Sequence, residues 1–556
     1  MSVSARFRHV ASGTAAAGAA RVQPAGGAGQ DTRVGETACP AGGRPVRSAR
    51  HRAAVYPARP RGKGSGPAHD CDVVVVGGGP AGAAAAARLA ARGFATILVD
   101  RATFPRDKVC GDFVGPAALA ELADLGVTGA EAFAAANTIG QCALHVDGDP
   151  LGALPIPRVG ALPAHGRVIP RRHLDAWVLD AARRAGATVA AGRKVTAVEQ
   201  APGAVTVRGR SAAGPWQLRG RLLLGADGSN SLIARAVRGT PPRQDRIAAV
   251  RAYFDDVAGP AGRADICLRG DSFPGYCWLF PCGGGQANVG VGMVVSTYPQ
   301  AGRNLRELLL RLIAEDPLMR HRLRGARIRG KIGGCPLTTY NPRLPLVGDR
   351  IMLLGDAAGL INPLNGEGIQ YALHSARWGA DLAADRLSCG RLDAASLAAY
   401  EQHVHDHLRR DMAFSRLVVQ LIRNRALNPF WLSATRIVAA RVRTDPDYAH
   451  RIACVLTGLA PATRTLGLSV VAKTAGQTMT SALPGPATRR PARRGQPGHP
   501  APQPSPNTIA GTARHTLTSR EFADWAAGVG RALTELTAQG RRGCRPGPSR
   551  PGAKAG

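Results

Sequence analysis

A glycine-rich segment directly after a valine run has the spacing of a dinucleotide-binding turn. Gly77, Gly79 and Gly82 follow the GxGxxG pattern between the apolar run at 72–76 and an alanine-rich stretch. Such glycines permit a tight turn, a close approach of backbone N–H groups to a pyrophosphate, and close packing of a helix on a strand. Asp100 ends the next apolar run, where a carboxylate can accept both ribose hydroxyls of an adenosine. The alternative is an ordinary glycine turn beside a strand-end aspartate.

Two further glycine-rich segments follow apolar runs later in the chain. Asp227 lies in the first, within 225–231, although a turn of this composition is also common without a ligand. Asp356 lies in the second, where it can hold polyol hydroxyls such as those of a ribityl chain. Gly366 and Gly368 then open a helix whose free N–H groups can stabilise a reduced flavin anion. Together the segments predict a flavin site.

These three elements, in this order and spacing, resemble those of FAD-dependent oxidoreductases of the p-hydroxybenzoate hydroxylase type. Further segments resemble the geranylgeranyl reductase family in particular. Residues 104–112 (FPRDKVCGD) are similar to its PxxKxCG segment. Residues 276–281 (YCWLFP) and 288–292 (NVGVG) are similar to its YxWxFP and NxGxG strands. The resemblance covers the chain from about residue 71 to about residue 470.

The resemblance implies bound FAD and reduction of isolated carbon–carbon double bonds in a polyprenyl chain. Known family substrates are the geranylgeranyl tail of chlorophyll precursors, archaeal ether lipids and menaquinone side chains. The implied electron donor is either NAD(P)H, docked transiently, or ferredoxin, so an electron-donor protein is a candidate partner. Arg171 could equally be a surface residue at a helix end. The residues that the family motifs place at FAD are Ala81, Asp100, Cys110, Gly111, Arg171, Val195, Asp356, Gly368 and Ile369.

Reduction of an unactivated alkene requires a hydride from the flavin, a proton on the other carbon, and a dry apolar site. Tyr276, Trp278 and Phe280 alternate along one strand, so their side chains share a face and are predicted to line the prenyl chain. Ordinary core packing would produce the same pattern. Cys110, Tyr276 and Trp278 are the candidate catalytic residues, although Cys110 could also be a small buried hydrophobe. The sequence identifies no proton donor.

The elements that must position these residues predict an α/β protein. The run at 72–76, the helix from Pro80 and the run at 95–99 form a βαβ unit, and alternating runs from 247 to 295 predict an antiparallel sheet. We expect a Rossmann-like FAD-binding domain interleaved with an antiparallel-sheet substrate domain, a C-terminal helical region and disordered termini. The expected parts are 1–70 (disordered extension), 71–246 (FAD-binding domain, first part, with inserted segments), 247–335 (substrate and catalytic domain), 336–390 (FAD-binding domain, second part), 391–475 (helical region) and 476–556 (Pro/Arg-rich linker and tail).

The chain is strongly basic, with 72 Lys+Arg against 38 Asp+Glu and a formal charge of +34. About half of this excess lies in the two expected disordered ends, without a recognition motif, so no nucleic acid is expected as a partner. The segment 412–443 mixes apolar residues with arginines and predicts a peripheral contact with lipid. The alternative is that this segment forms a helical wall of the active site.

The 11 cysteines include no CxxC pair and no His/Cys cluster at zinc spacing, which predicts a reduced protein without a metal site. No run of 18 apolar residues predicts a membrane span. We therefore expect a cytoplasmic protein that can bind peripherally to the inner face of the cell membrane. Its substrate would be a polyprenyl lipid or quinone taken from that membrane.

Two other functions share part of these features. A flavin-dependent monooxygenase or halogenase has the same fold, but the Cys110–Gly111 segment and the strand at 276–281 argue against it, and no WxWxIP halogenase signature occurs. Substrate-dependent oxygen consumption would favour this alternative. A nucleic-acid-binding protein would need clustered basic residues on a recognition fold, and a salt-dependent gel shift with residues 71–475 would favour it.

Overall fold

The computed structural model describes residues 69–241, 245–295, 304–460 and 519–537. The expected extension at 1–70 lies outside these ranges except for its last two residues. The expected linker and tail at 476–556 also lie outside them, except for the helix at 519–537. Residues 461–475 of the expected helical region are likewise outside the described part.

Strands and helices alternate along the first half of the chain. They are β1 (Cys71–Val76), α1 (Pro80–Ala90), β2 (Thr96–Val99), β3 (Phe113–Val114), α2 (Pro116–Asp124), α3 (Glu131–Ala134), β4 (Asn137–Ile139), β5 (Gln141–Val146), β6 (Asp149–Pro155), β7 (Gly166–Val168), α4 (Arg171–Arg184), β8 (Thr188–Ala190), β9 (Lys194–Ala201), β10 (Ala204–Ser211), β11 (Gly214–Gly225) and α5 (Leu232–Arg238).

The second half begins with strands and ends in helices. Its elements are β12 (Arg246–Asp255), β13 (Arg263–Leu268), β14 (Tyr276–Gly283), β15 (Gln286–Val294), α6 (Leu305–Glu315), α7 (Pro317–Arg322), β16 (Arg327–Thr338), β17 (Val347–Gly348), β18 (Ile351–Leu353), α8 (Gly355–Ala358), α9 (Ile369–Cys389), α10 (Ala394–Ile422), α11 (Asn428–Thr444), α12 (Pro446–Leu456) and α13 (Ser519–Thr537). A 3-10 turn, Arg425–Leu427, joins α10 to α11.

The first sheet is the expected α/β layer, parallel from β18 through β11, β1 and β2 to β8, with antiparallel pairs at β17, β10 and β9. Its strand order is β17-β18-β11-β1-β2-β8, and β10 and β9 extend it from β11. β1 is central and pairs in parallel with β11 and β2, which is why its valines are buried on both faces. The alanine-rich α1 packs against α4 and α9, because small side chains let helices approach closely. This arrangement confirms the βαβ unit predicted from 72–99.

The second sheet has the order β16-β12-β15-β14-β13-β5-β6. Its pairs are antiparallel except β13 with β5, which is parallel. β5 and β6 come from residues 141–155, so this sheet extends beyond the segment 247–335 that the sequence indicates. On β14, Cys277 and Leu279 join the core beneath α6 and α7, which leaves the alternate residues for the opposite face.

The remaining elements enclose these two sheets. A small third sheet has the order β3-β7-β4. α11 packs Leu432 and Ala439 against Val146, Leu151 and Phe273, so it covers one edge of the second sheet. α13 lies on α10, where Trp525 Nε1 donates to the carbonyl of Gln420 at 2.9 Å. No helix in the part of the chain that the structure describes has both the length and the apolar composition for crossing a membrane.

Candidate active site

The turn between β1 and α1 has the geometry that its glycines predict. Gly77 has a φ of +106°, and a β-carbon there would collide with the carbonyl oxygen of Ala226. A β-carbon at Gly82 would collide with the carbonyl oxygen of Gly77. Glycine alone fits both positions, because the first needs left-handed backbone and the second needs direct backbone contact. The turn thereby presents the N-terminus of α1, which has no side-chain cap.

Two guanidinium groups face the open side of this turn. A β-carbon at Gly79 would lie 3.8 Å from Nη2 of Arg171 and 3.9 Å from Nη2 of Arg106. Arg171 is 3% exposed, and its Nε and Nη2 bind Asp175 at 2.6 and 2.8 Å. Burial opposes its charge, but the Asp175 carboxylate holds the pKa of Arg171 above its ordinary value. A helix N-terminus beside two cations fits the pyrophosphate of FAD.

The predicted adenosine contacts lie next to this turn. The two carboxylate oxygens of Asp100 accept the N–H groups of Gly78 and Ala102, each at 2.7 Å. These bonds fix the carboxylate at the end of β2. The N–H of Arg193 donates to the carbonyl of Asp100 at 2.8 Å, which brings the start of β9 and the half-buried Val195 close to it. Direct contact of Asp100 and Val195 with adenosine stays a prediction.

Asp356, in α8, connects segments that are distant in sequence. Its Oδ2 accepts a bond from Lys108 Nζ at 2.9 Å and lies 3.5 Å from Oγ of Ser229. A β-carbon at Gly368 would lie 3.3 Å from its Oδ1. Burial alone would raise the pKa of Asp356, but the charges of Lys108 and Arg171 hold it below its ordinary value. The ionised carboxylate is a suitable acceptor for the hydroxyls of a ribityl chain.

Asp227 makes its hydrogen bonds within its own loop and with the start of α5. Its Oδ2 accepts the N–H of Leu232 at 2.7 Å, and its Oδ1 accepts a bond from the hydroxyl of Ser231. These bonds satisfy donors at the N-terminus of α5. Ser229 of the same loop makes the contact with Asp356. Asp227 therefore shapes the loop, and its contact with FAD stays a prediction.

Three further residues predicted to contact FAD are Ala81, Ile369 and Cys110. Ala81 in α1 is next to α8, since a β-carbon at Gly355 would lie 2.9 Å from its Cβ. Ile369 begins α9 and is 7% exposed. Burial raises the pKa of the Cys110 thiol, so the thiol is protonated at neutral pH, and its Sγ accepts the N–H of Asp112 at 3.4 Å. The catalytic role of Cys110 stays a prediction.

Tyr276, Trp278 and Phe280 share one face of β14, as their alternation predicts. Successive ring centroids are 6.0 and 6.2 Å apart. A β-carbon at Gly111 would lie 3.2 Å from the Phe280 ring, and one at Gly366 would lie 3.2 Å from the Tyr276 hydroxyl. The row of three rings, called the aromatic row below, therefore extends from Gly111 to Gly366. Both glycines lie in segments that are predicted to contact FAD. Its contact with a prenyl chain stays a prediction.

A buried polar network lies beside the aromatic row, and the sequence does not predict it. Asn288 accepts the indole N–H of Trp278 at 2.9 Å and donates to the carbonyl of Cys110 and to Oδ2 of Asp112, each at 2.7 Å. Tyr253 donates to the same Asp112 oxygen at 2.6 Å. Burial raises the pKa of Asp112 to about 6, although both donors lower it. The NxGxG pattern includes Asn288, but the pattern alone assigns it no partner.

Glu367 is another residue to which the motifs assign no role. In sequence it lies between Gly366 and Gly368, which are predicted to contact FAD. Its Oε1 would lie 3.4 Å from a β-carbon at Gly115. Its Oε2 approaches Gly458, just after α12, so the half-buried carboxyl lies between two loops. Burial raises the pKa of Glu367 to about 8, and the carboxylate of Asp411 adds to the increase. The carboxyl is therefore mostly protonated at neutral pH.

Much of the segment 412–443, for which the sequence predicts a contact with lipid, is engaged within the protein. Phe414, Leu417 and Leu432 are buried in the protein. Its six arginines all bind protein oxygens. Their partners are Asp245 and the Tyr340 carbonyl for Arg416, the Asp524 carbonyl for Arg423, the Asp271 carbonyl for Arg425, Asp147 for Arg436, Asp445 for Arg441 and the Leu151 carbonyl for Arg443. Cations engaged in this way are not free to bind phosphate groups. The alternative, that this segment forms a helical wall of the active site, stays a prediction.

Known proteins resemble this chain over most of the part that contains the site. The FAD binding domain family matches residues 70–415. A menaquinone reductase from Mycolicibacterium smegmatis is 34% identical over 400 residues, which cover 68% of this chain and 90% of that protein. Digeranylgeranylglycerophospholipid reductase 1 from Methanopyrus kandleri is 29% identical over 360 residues, covering 63% of this chain and 90% of that protein.

A solved structure shows the same fold. It comes from Thermoplasma acidophilum and is described as geranylgeranyl bacteriochlorophyll reductase-like. It superposes with a TM-score of 0.58 at 21% identity, covering 74% of this chain and 98% of that one. The glycine turn with its two guanidinium groups fits FAD, and the extent of the family match agrees with it. The chain belongs to the geranylgeranyl reductase family and is an FAD-dependent oxidoreductase.

Proposed function

We propose that this oxidoreductase saturates carbon–carbon double bonds in the polyprenyl side chain of a menaquinone or of another geranylgeranyl-type lipid. The observation that supports it most directly is the aromatic row of Tyr276, Trp278 and Phe280, which extends between two segments predicted to contact FAD. Aromatic rings offer an apolar wall to an alkene chain and displace water from it. The relative named menaquinone reductase makes menaquinone the first substrate to test.

The cofactor-binding residues divide into three groups in this proposal. The glycine turn, the N-terminus of α1 and Arg171 would hold the pyrophosphate of FAD, and Asp100 would accept the ribose hydroxyls. Asp356 would accept hydroxyls of the ribityl chain while Lys108 keeps it ionised. When bound and reduced, FAD supplies the hydride that an alkene carbon accepts.

The residues of the aromatic row have separate tasks. Asn288 holds the Trp278 ring through a bond of 2.9 Å and ties it to the Cys110 carbonyl. Tyr276 donates to the carbonyl of Asn365 at 2.5 Å, which fixes the other end of the row. A rigid, apolar wall excludes water, so positive charge that develops on the alkene is not quenched by hydration. The electron donor, NAD(P)H or ferredoxin, and a peripheral membrane contact are parts of the proposal.

The test is an anaerobic turnover of the full chain loaded with FAD and reduced chemically. Menaquinone dispersed in detergent is added, and mass spectrometry follows the quinone. We expect a gain of two hydrogen atoms for each saturated bond in the side chain. An unchanged side chain, together with substrate-dependent oxygen consumption and a hydroxylated or halogenated product in air, would show a monooxygenase or halogenase instead.

A further inference from the structure

We propose that Glu367 delivers the proton to the alkene carbon that does not receive the hydride. This inference rests on the proposed function and adds the acid that the reaction requires. Glu367 lies between Gly366, which approaches the Tyr276 hydroxyl, and Gly368, which approaches Asp356. The carboxyl-bearing residue is therefore placed where the aromatic row meets the segments predicted to hold the cofactor.

The other groups at this wall that carry a proton are less suited to meet a bound chain. The hydroxyl of Tyr276 donates to the Asn365 carbonyl. Asp112 has one engaged oxygen, Oδ2, which accepts bonds from Tyr253 and Asn288, and its Oδ1 has no partner among the described residues. Its side chain has no exposed surface, so neither oxygen can touch a bound chain. Burial holds the proton on the Cys110 thiol by raising its pKa.

Glu367 differs from these groups in its surroundings. It is half-buried, and within the described ranges no N–H or O–H group donates to its carboxyl oxygens. The carboxyl thus lies between Gly115 and Gly458 without a donor that fixes it. A carboxylic acid in this state can turn its O–H toward a bound chain.

The charges around Glu367 favour the acid form. Tyr276 acts on it from β14, Tyr371 from the helix α9 that follows it, and Asp411 from α10. Tyr276 and Tyr371 are neutral at pH 7 because burial raises their pKa values, so Asp411 supplies the negative charge that acts on Glu367. A donor with a pKa near the working pH is an efficient general acid.

The proposed step balances in atoms and electrons. The π bond of the alkene breaks, and one carbon gains a C–H bond from a hydride that carries both electrons from the reduced cofactor. The second carbon gains a C–H bond from the proton of Glu367. Glu367 is left as a carboxylate and regains its proton from water, while an external reductant of the nicotinamide or iron–sulfur class restores the reduced cofactor.

The main experiment compares the wild type with Glu367→Gln in the full chain loaded with FAD. Glutamine keeps the volume and the polarity but has no acidic proton. In anaerobic single turnovers with menaquinone, we expect saturation to slow by about 10²- to 10⁴-fold, the usual contribution of a general acid. FAD content and chemical reduction of the flavin should be unchanged. Glu315→Gln, at the exposed end of α6, is the matched control and should saturate at the wild-type rate.

A second measurement does not depend on turnover. The infrared difference spectrum between wild type and Glu367→Gln should contain the carbonyl band of a protonated carboxylic acid, which titrates with a midpoint near the pKa of about 8. Asp411→Asn removes the facing negative charge, so the midpoint and the alkaline limb of the saturation rate should both move to lower pH.

The outcomes separate the two proposals. An active wild type with an equally active Glu367→Gln, or a difference spectrum without the acid band at pH 7, would overturn this inference and leave the proposed function intact. A wild type that saturates no prenyl chain would overturn the proposed function itself.

Discussion

At Asp356, one carboxylate interacts with three separate parts of the chain. Its partner Lys108 is 248 residues away in sequence, Ser229 belongs to a second loop, and Gly368 belongs to a third. The carboxylate stays ionised because the cations of Lys108 and Arg171 oppose the effect of burial on its pKa. Such a residue affects cofactor binding both by accepting hydrogen bonds and by holding the loops together.

We expect Asp356→Asn to weaken FAD binding by about ten- to a hundredfold. The amide cannot balance the charge of Lys108 and is a weaker acceptor, and losing a hydrogen bond to a charged group costs about 1.5–3 kcal/mol. Fluorescence titration of the apoprotein with FAD measures the change. Asp180→Asn on α4 is the control, since that exposed residue pairs with Arg183 of its own helix. Equal affinity of Asp356→Asn and wild type would contradict a role of this carboxylate at FAD.

The sequence predicts single residues well where local backbone geometry restricts the residue type. Gly77 and Gly82 are examples, because collisions within one turn demand glycine. Asn288 and Glu367 could not be assigned in this way. The Asn288 amide donates to a carbonyl 178 positions away, and the protonation of Glu367 depends on burial and on Asp411, so both follow from the folded chain alone.

At the scale of elements, a buried ion cluster joins β5, β13 and α7. Asp265 is fully buried and binds Arg322 at 2.5 Å, Arg263 at 2.9 Å and His145 at 3.2 Å. β13 and β5 are the parallel pair of the second sheet. The cluster therefore links β5 and β13, which lie far apart in sequence, to the helix α7.

We expect Arg322→Met to destabilise the fold by no more than the roughly 3–5 kcal/mol of a broken buried pair, because Asp265 loses one buried partner but keeps Arg263 and His145. Asp265→Asn should also be destabilising, because it leaves the buried Arg322 without its carboxylate partner. The double variant should lose less stability than the sum of the single variants, since each single variant already removes the Arg322–Asp265 interaction. Denaturant unfolding of the FAD-loaded protein measures all three. Strict additivity would show that the two side chains do not interact.

Strands in the second sheet differ in how well the sequence predicts them. Residues 247–295 alternate clearly between apolar and other residues, and they form β12 to β15. β5 and β6 were not predicted, because β6 contains two prolines and a glycine that weaken its pattern. Their parallel pairing with β13 also depends on a contact between residues about 120 positions apart, which no local pattern encodes.

The whole molecule is strongly basic, and its excess charge is spread unevenly. The arginines of 412–443 bind protein oxygens, so they contribute little to a lipid-binding surface. Residues 1–70 and 476–556 together contain about half of the net charge of +34. A cation near an anionic membrane surface contributes about 1 kcal/mol, so these ends have enough charge for a salt-dependent contact.

We expect the full chain to sediment with anionic vesicles at low salt and to be released as salt rises. A variant that lacks residues 1–68 and 478–556 should keep FAD but bind these vesicles much more weakly. Neutral vesicles are the control for apolar contact. Equal binding of both proteins to anionic vesicles would place the contact on the FAD-binding core instead.

The strand order of the first sheet also determines when the nascent chain can bind its cofactor. β1 leaves the ribosome early, but its neighbour β11 ends at residue 225, and β18, which precedes Asp356, ends at residue 353. At about 5–20 residues per second, the ribosome needs roughly 15 to 55 s to synthesise the chain from β1 to β18. Until β11 is made, the valine-rich strand β1 has an unpaired edge of the kind that chaperones shield. FAD can meet Asp356 only after β18 has followed.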